Sequence, residues 1–143
     1  MEIKQKRAGI ALTVLTVLLS LVLAVIVAGC STAKSPGKIE LSADEFDFGA
    51  IPNTGPVSQV FQVRNVGGAK LEITGVSTSC GCTTAEIAER TLSPGEAADL
   101  KVTYDPLAHG GATGEFMRLV YVRSNDPDTP EASLAVRATV VEP

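Results

Sequence analysis

From Ala97 to Tyr104 apolar and polar residues alternate one by one. Ala98, Leu100, Val102 and Tyr104 stand against Asp99, Lys101 and Thr103. A strand puts successive side chains on opposite faces, so this pattern requires a sheet with one dry face. The same period governs Phe61 and Val63, Leu71 and Ile73, and Leu134, Val136, Ala138 and Val140. Gly75 breaks the phase between Ile73 and Val76, which predicts a bulge. Turn residues punctuate the runs at Asn53-Thr54-Gly55-Pro56, Gly67-Gly68, Ser93-Pro94-Gly95, Gly110-Gly111 and Asn125-Asp126-Pro127. The pattern predicts about seven strands, near 39–42, 57–65, 70–77, 83–88, 97–104, 117–124 and 132–141. Short strands at this spacing predict an all-β, seven-stranded immunoglobulin-like β-sandwich.

The segment before these strands has a different composition. Lys4, Lys6 and Arg7 precede an uncharged stretch, Ala8 to Gly29, that ends in Val27-Ala28-Gly29-Cys30. A basic start, an apolar stretch and small residues form the layout of an export signal. The ending resembles that of a bacterial lipoprotein signal, in which the residue at the place of Cys30 is lipidated. The same 22 residues are also long enough to span a bilayer as an uncleaved helix with the basic residues held inside. Both readings put the rest of the chain on the extracytoplasmic side of a cell membrane, held there by a lipid or by the amino-terminal helix. The expected organisation is a signal peptide or transmembrane anchor at 1–29, a flexible tether at 30–38 and the sandwich at 39–143. The tether's Ser31 to Lys38 is small, polar and punctuated by Pro36 and Gly37. From Ile39 onward 7 Lys and Arg face 15 Asp and Glu, a net charge of −8. Such a surface repels phosphate backbones, which argues against nucleic acid as a partner.

Five short motifs occur in order: Phe46-Asp47-Phe48-Gly49, Phe61 with Asn65 and Gly67, Thr78-Ser79-Cys80-Gly81-Cys82-Thr83, Leu92 with Pro94-Gly95-Glu96, and Ser124-Asn125-Asp126-Pro127. Together they resemble the bacterial domain-of-unknown-function family numbered fifteen-seventy-three, which is similar to Hydin-type immunoglobulin-like domains. The resemblance covers roughly Ile39 to Val141. It implies the fold and an envelope location but no activity. The Gly-rich 105–116 connection carrying His109 departs from the family's pattern. From the residues themselves, Phe46 and Phe48 share a face and are expected to plug the core. Gly49 suits a turn with positive φ, and Asn65 with Gly67 suits a hairpin turn. In Ser124-Asn125-Asp126-Pro127 a side chain is expected to bond nearby backbone.

Cys80-Gly81-Cys82 is the one unusual chemical feature. If Cys30 carries lipid, these two thiols form an even pair, and residues two apart on an extended segment project to one side. A disulfide here closes a very small ring, so it gains little by loop entropy. A redox or labile disulfide role is therefore expected. Alternating connections place 49–56, 79–82 and 105–116 at one end of the sandwich and the tether at the other. Cys80, Cys82 and His109 then share an end, with Met117 just inside the next strand. Two thiolates and an imidazole suit a soft metal such as Cu(I); a lone His and a lone Met are weak signals, and the plainer reading is a solvated His109 and a core Met117. One His and no nucleophile elbow leave no readable hydrolase triad, and Gly110-Gly111-Ala112-Thr113-Gly114 lacks the Lys of a phosphate loop. The expected role is a non-enzymatic binding or structural module with an envelope protein partner and no cofactor. The competing expectation is a Cu(I)-binding or thiol-redox protein that uses the Cys pair.

Overall fold

A computed structural model describes residues 34–143, apart from the side chain of His109. The signal or anchor expected at 1–29 and the lipidation expected at Cys30 lie outside the described residues. Nine strands form: β1 (Ile39–Leu41), β2 (Glu45–Pro52), β3 (Val57–Asn65), β4 (Leu71–Thr78), β5 (Thr83–Ile87), β6 (Thr91–Leu92), β7 (Ala97–Tyr104), β8 (Gly114–Ser124) and β9 (Glu131–Val141). One sheet has the order β1-β3-β7-β5 and the other β2-β9-β8-β4-β6. The all-β expectation stands, but the strand count is nine rather than seven.

The two added strands have physical reasons. β2 contains the Phe46-Asp47-Phe48-Gly49 motif and pairs parallel with β9, at the far end of the chain. A parallel neighbour needs no tight turn, so no hairpin signal announces it. Phe46 and Phe48 do plug the core: their rings meet edge-on at 5.0 Å, and Phe46 meets Phe61 at 5.4 Å. Gly49 has φ +70° and lies where the β2–β9 register shifts between Asp47 and Ala50. β6 has two residues and pairs only with Leu71 and Glu72. β8 starts at Gly114, earlier than expected, because its pairing with β9 continues to Val140. The bulge expected at Gly75 is present as a register shift between Ile73 and Gly75 against β8.

The alternating residues become the core. Val63, Leu71, Leu100, Val102, Val120, Val122 and Leu134 have no exposed surface. Each such side chain contributes about 1.5–3 kcal/mol on removal from water. β1 and β2 run in the same direction, because β1 begins beside Asp126 at one end and β2 finishes beside Val141 at the other. They amount to one strand that changes sheets, so the alternation of connections between the two ends survives the higher strand count.

At the amino-terminal end the motifs act as buried connectors. Asn65 was expected in a hairpin turn, but β3 and β4 belong to different sheets. Its side chain accepts from Lys38 N at 3.2 Å and Gly67 N at 2.9 Å, and donates to Ala69 O at 2.8 Å and Leu92 O at 2.9 Å. Asp126, 2% exposed, accepts from Ile39 N at 2.9 Å, Asp128 N at 2.9 Å and Thr129 N at 3.1 Å. Pro36 O and Lys38 O accept from Gly68 N and Val66 N, so this part of the expected tether is bonded to the sandwich.

Gly67 is needed there for closeness, since its φ is not positive. A Cβ on it would lie 2.1 Å from Pro36 O and 2.5 Å from Lys38 N. Both obstructing atoms are backbone and cannot swing away. Gly67→Ala is therefore expected to lower stability by about 1–3 kcal/mol, the usual cost of overpacking. It should also open the 35–38 segment to proteolysis. Urea unfolding and limited digestion of the variant check both effects, and unchanged values in both would disprove the close-approach reading.

Candidate functional site

The opposite end of the sandwich carries the sulfur pair. Cys80 follows β4 and Cys82 immediately precedes β5, so Cys80-Gly81-Cys82 spans the passage from one sheet to the other. Asp105 N donates to Cys82 O at 2.8 Å, tying this turn to the 105–113 loop. Asn53 Nδ2 donates to Gly111 O at 2.9 Å, and Asn53 N donates to Val141 O at 3.0 Å. The connections expected to share one end therefore do so. Thr83 N donates to Cys80 O at 3.2 Å. Thr78 Oγ1 lies 3.0 Å from Cys80 O and 2.8 Å from Thr83 O, and its single proton serves either.

Cys80 and Cys82 are joined as a disulfide, with Cα atoms 5.3 Å apart. The two sulfurs have unequal surroundings. Cys82 is 2% exposed and packs with Ile51, Tyr104, Ala138 and Val140. Cys80 is half-buried at the rim of the same cluster, and Gly81 between them is exposed. Cys82 N donates to Cys80 Sγ at 3.2 Å. Arg118 Nε donates to Cys82 Sγ at 3.1 Å. The Arg118 guanidinium is held by a bond from Nη1 to Met117 O at 2.8 Å and sits 5.2 Å from the centre of the Phe116 ring. Phe116 in turn lies 6.3 Å from Tyr104. Burial pushes the Tyr104 hydroxyl up from its ordinary value; the Arg118 charge opposes this and Asp105 reinforces it.

His109 closes a short 3-10 turn, Pro106–His109, within the loop at this end. Met117 is neither core nor part of the sulfur cluster. It is 48% exposed on the outer face of β8, because alternation turns Phe116 and Arg118 inward. Among the described residues no three His, Cys, Asp or Glu side chains gather as a metal site. Sequence reasoning missed Arg118. Its signal was its phase: it stands in register with Phe116, Val120 and Val122, a charged residue on the inward side of a strand.

This geometry defines a two-sheet, immunoglobulin-like β-sandwich with a disulfide at one end. The chain belongs to the family described as protein of unknown function, DUF1573, which it matches over residues 39–140. No curated protein matches it. A crystal structure of a protein of unknown function from Porphyromonas gingivalis W83 is similar at 25% identity and a TM-score of 0.67. The match covers 77% of this chain and 50% of that one, so the chain spans half the length of this relative. The ASH/PapD-like domain 7 of human CEP192 matches at 11% identity with a TM-score of 0.55, covering 74% of this chain and 87% of that one. The YadV chaperone matches at 13% identity and 0.54, covering 71% of this chain and 51% of that one. The last two likenesses establish the fold alone. Among the described residues no helix is long and apolar enough to cross a membrane.

Proposed function

We propose that this chain is a membrane-attached, extracytoplasmic sandwich that serves as a non-enzymatic binding or structural module in the cell envelope. Attachment is through a lipid on Cys30 or through the uncharged 8–29 segment. The observation that carries the binding role is the pair of exposed apolar side chains on the fastened loops at the sulfur end, although Val66, 45% exposed, stands at the other end. At the amino-terminal end Asn65, Asp126 and Gly67 are engaged in internal bonds and close packing. At the opposite end Leu107 is 48% and Val141 40% exposed, on loops and a strand end fastened to one another through Asn53. Large apolar side chains held on a rigid frame suit a protein partner.

The test is capture from detergent-solubilised envelope with the full-length chain. A stoichiometric protein partner is expected. It should survive Cys80→Ser with Cys82→Ser, and binding should weaken at least tenfold with Leu107→Asp and Val141→Asp together. A partner lost with the cysteines, or indifferent to Leu107 and Val141, refutes this reading. A second reading, thiol-redox chemistry with the reduced pair able to bind Cu(I), is favoured by one observation. The disulfide sits at the loop end with a cation against one of its sulfurs.

A further inference from the structure

We infer that the outer edge of β5 is a strand-binding surface for an extended, basic segment of a partner protein. This surface is separate from exposed Leu107 and Val141 and goes beyond the binding role proposed above. The backbone supplies the first argument. β5 is the last strand of its sheet, beside β7. Asp105 N donates to Cys82 O at 2.8 Å, and Ala88 N donates to Asp99 O at 2.9 Å, one step beyond each end of the β5–β7 register. Antiparallel residues alternate between bonded and unbonded pairs, so Thr84 and Glu86 share the bonded parity. Thr83, Ala85 and Ile87 therefore aim their N–H and C=O groups away from β7. Thr83 N donates to Cys80 O, and Thr83 O accepts from Thr78 Oγ1. Among the described residues the N–H and C=O groups of Ala85 and Ile87 have no partner.

The other edges are blunted. β1 has three residues and β6 has two. β2 is interrupted by the register shift between Asp47 and Ala50 and ends in Pro52. β4, where it runs past β6, is interrupted by the shift between Ile73 and Gly75. Short, bulged and proline-bearing edges resist pairing. β5 offers five residues in unbroken register, without proline. A row of unpaired backbone groups is a template for another strand, and main-chain bonds supply the affinity.

The side chains define the occupant. Ala85 and Ile87 are half-buried and pack against the core, as Val76 does. An added strand lays its own side chains beside them on the same face, so apolar residues at alternate positions suit it. Between them Glu86 is exposed on the outer face, with Lys101 of β7 opposite it on one flank. Glu86 forms no salt bridge among the described residues. A Lys or Arg on its open flank completes that row. A second copy of this chain fits worse. Pairing β5 antiparallel with itself through Ala85 and Ile87 sets Glu86 against Glu86, and like charges directly opposite destabilise. A shift of two residues avoids this, but it uses Thr83, whose backbone is engaged, or Glu89, which lies outside the strand.

The experiment uses the full-length chain in detergent and an end-capped synthetic peptide, Thr-Val-Lys-Val-Thr, as the probe. Amide hydrogen exchange followed by NMR is the readout. In the free chain Ala85 and Ile87 should exchange as unpaired amides, while Thr84 and Glu86 are protected by β7. Millimolar peptide should slow Ala85 and Ile87 in proportion to its occupancy and leave Thr84 and Glu86 unchanged. Methylating the two valine nitrogens of the peptide should abolish that protection. Replacing the peptide's Lys with Glu should weaken binding roughly two- to fivefold, and Glu86→Lys should reverse the preference. Ala85→Pro removes one outward N–H, leaves the β7 ladder whole and should weaken binding about five- to tenfold. No protection at millimolar peptide, or protection that survives methylation, refutes the strand-binding surface. Indifference to both charge swaps refutes the basic partner. A dimer by light scattering, with Ala85 and Ile87 already protected, assigns the edge to a second copy and refutes the partner proposed here. The methylated peptide acts on the native chain, so it decides the matter even if Ala85→Pro fails to fold. None of these outcomes bears on Leu107 or Val141.

Discussion

Asn65→Ala is expected to remove about 4 kcal/mol of stability. The Asn65 side chain makes four hydrogen bonds, two accepted through Oδ1 and two donated through Nδ2. Its own surface is fully buried. Each bond is worth about 1 kcal/mol, and Ala leaves the partner groups of Lys38, Gly67, Ala69 and Leu92 without that side chain. Those groups belong to the incoming amino-terminal segment, the β3–β4 connection and β6. The variant therefore loosens three elements at once. Domains of this size have about 5–15 kcal/mol in total, so the loss approaches the whole margin. Urea titration should show a midpoint far below wild type, and Asn65→Asp should recover only part, since a carboxylate cannot donate to Ala69 O and Leu92 O. A midpoint within about 1 kcal/mol of wild type would mean that these bonds are replaced by water without penalty.

The second large effect concerns Asp126 and acid. Burial pushes its carboxyl up, but three backbone N–H groups, from Ile39, Asp128 and Thr129, together with the Lys38 charge, hold it below its ordinary value of 3.8. The unfolded chain therefore takes up this proton at a higher pH than the folded one. The stabilisation is complete above the ordinary value and is lost as pH falls through the lower, folded value. Asp126→Asn keeps the shape but places an amide where a carboxylate accepts three N–H groups. It is expected to cost about 2–3 kcal/mol at neutral pH. The difference from wild type should shrink progressively below about pH 4. Thermal or urea unfolding of both chains from neutral to acid pH measures that convergence. A gap that stays constant down to the acid end would show that the carboxylate's charge is not what holds Ile39.

Asn65 and Asp126 show how motif and mechanism separate. Both stood out in the sequence as turn residues; Asn65 closes β3, and Asp126 lies between β8 and β9. What each side chain does depended on which segment comes to lie beside it. Gly67 makes the same point: its lack of a side chain was visible, but the Pro36 carbonyl that requires it is thirty-one positions away in sequence. The parallel pairing of β2 with β9 was hidden for a related reason. Nothing local marks a strand whose neighbour is the last strand of the chain, so Phe46 and Phe48 read as a plug and not as a strand.

The sequence by itself determined the two-sheet β-sandwich, the inward set of Val, Leu and Ile, the bulge at Gly75 and the positive φ at Gly49. These follow from the two-residue period of a strand and from the allowed conformations of glycine, both of which are local. It also placed Cys80, Cys82 and the 105–116 loop at one end, because connection alternation depends only on strand order. Tertiary structure alone decided that Cys82 is enclosed while Cys80 stands at the rim, and that Arg118 meets Cys82 sulfur. Those facts depend on how two sheets overlap and on the phase of β8 against β9. Packing between segments distant in the chain sets that overlap, and no short-range pattern encodes it.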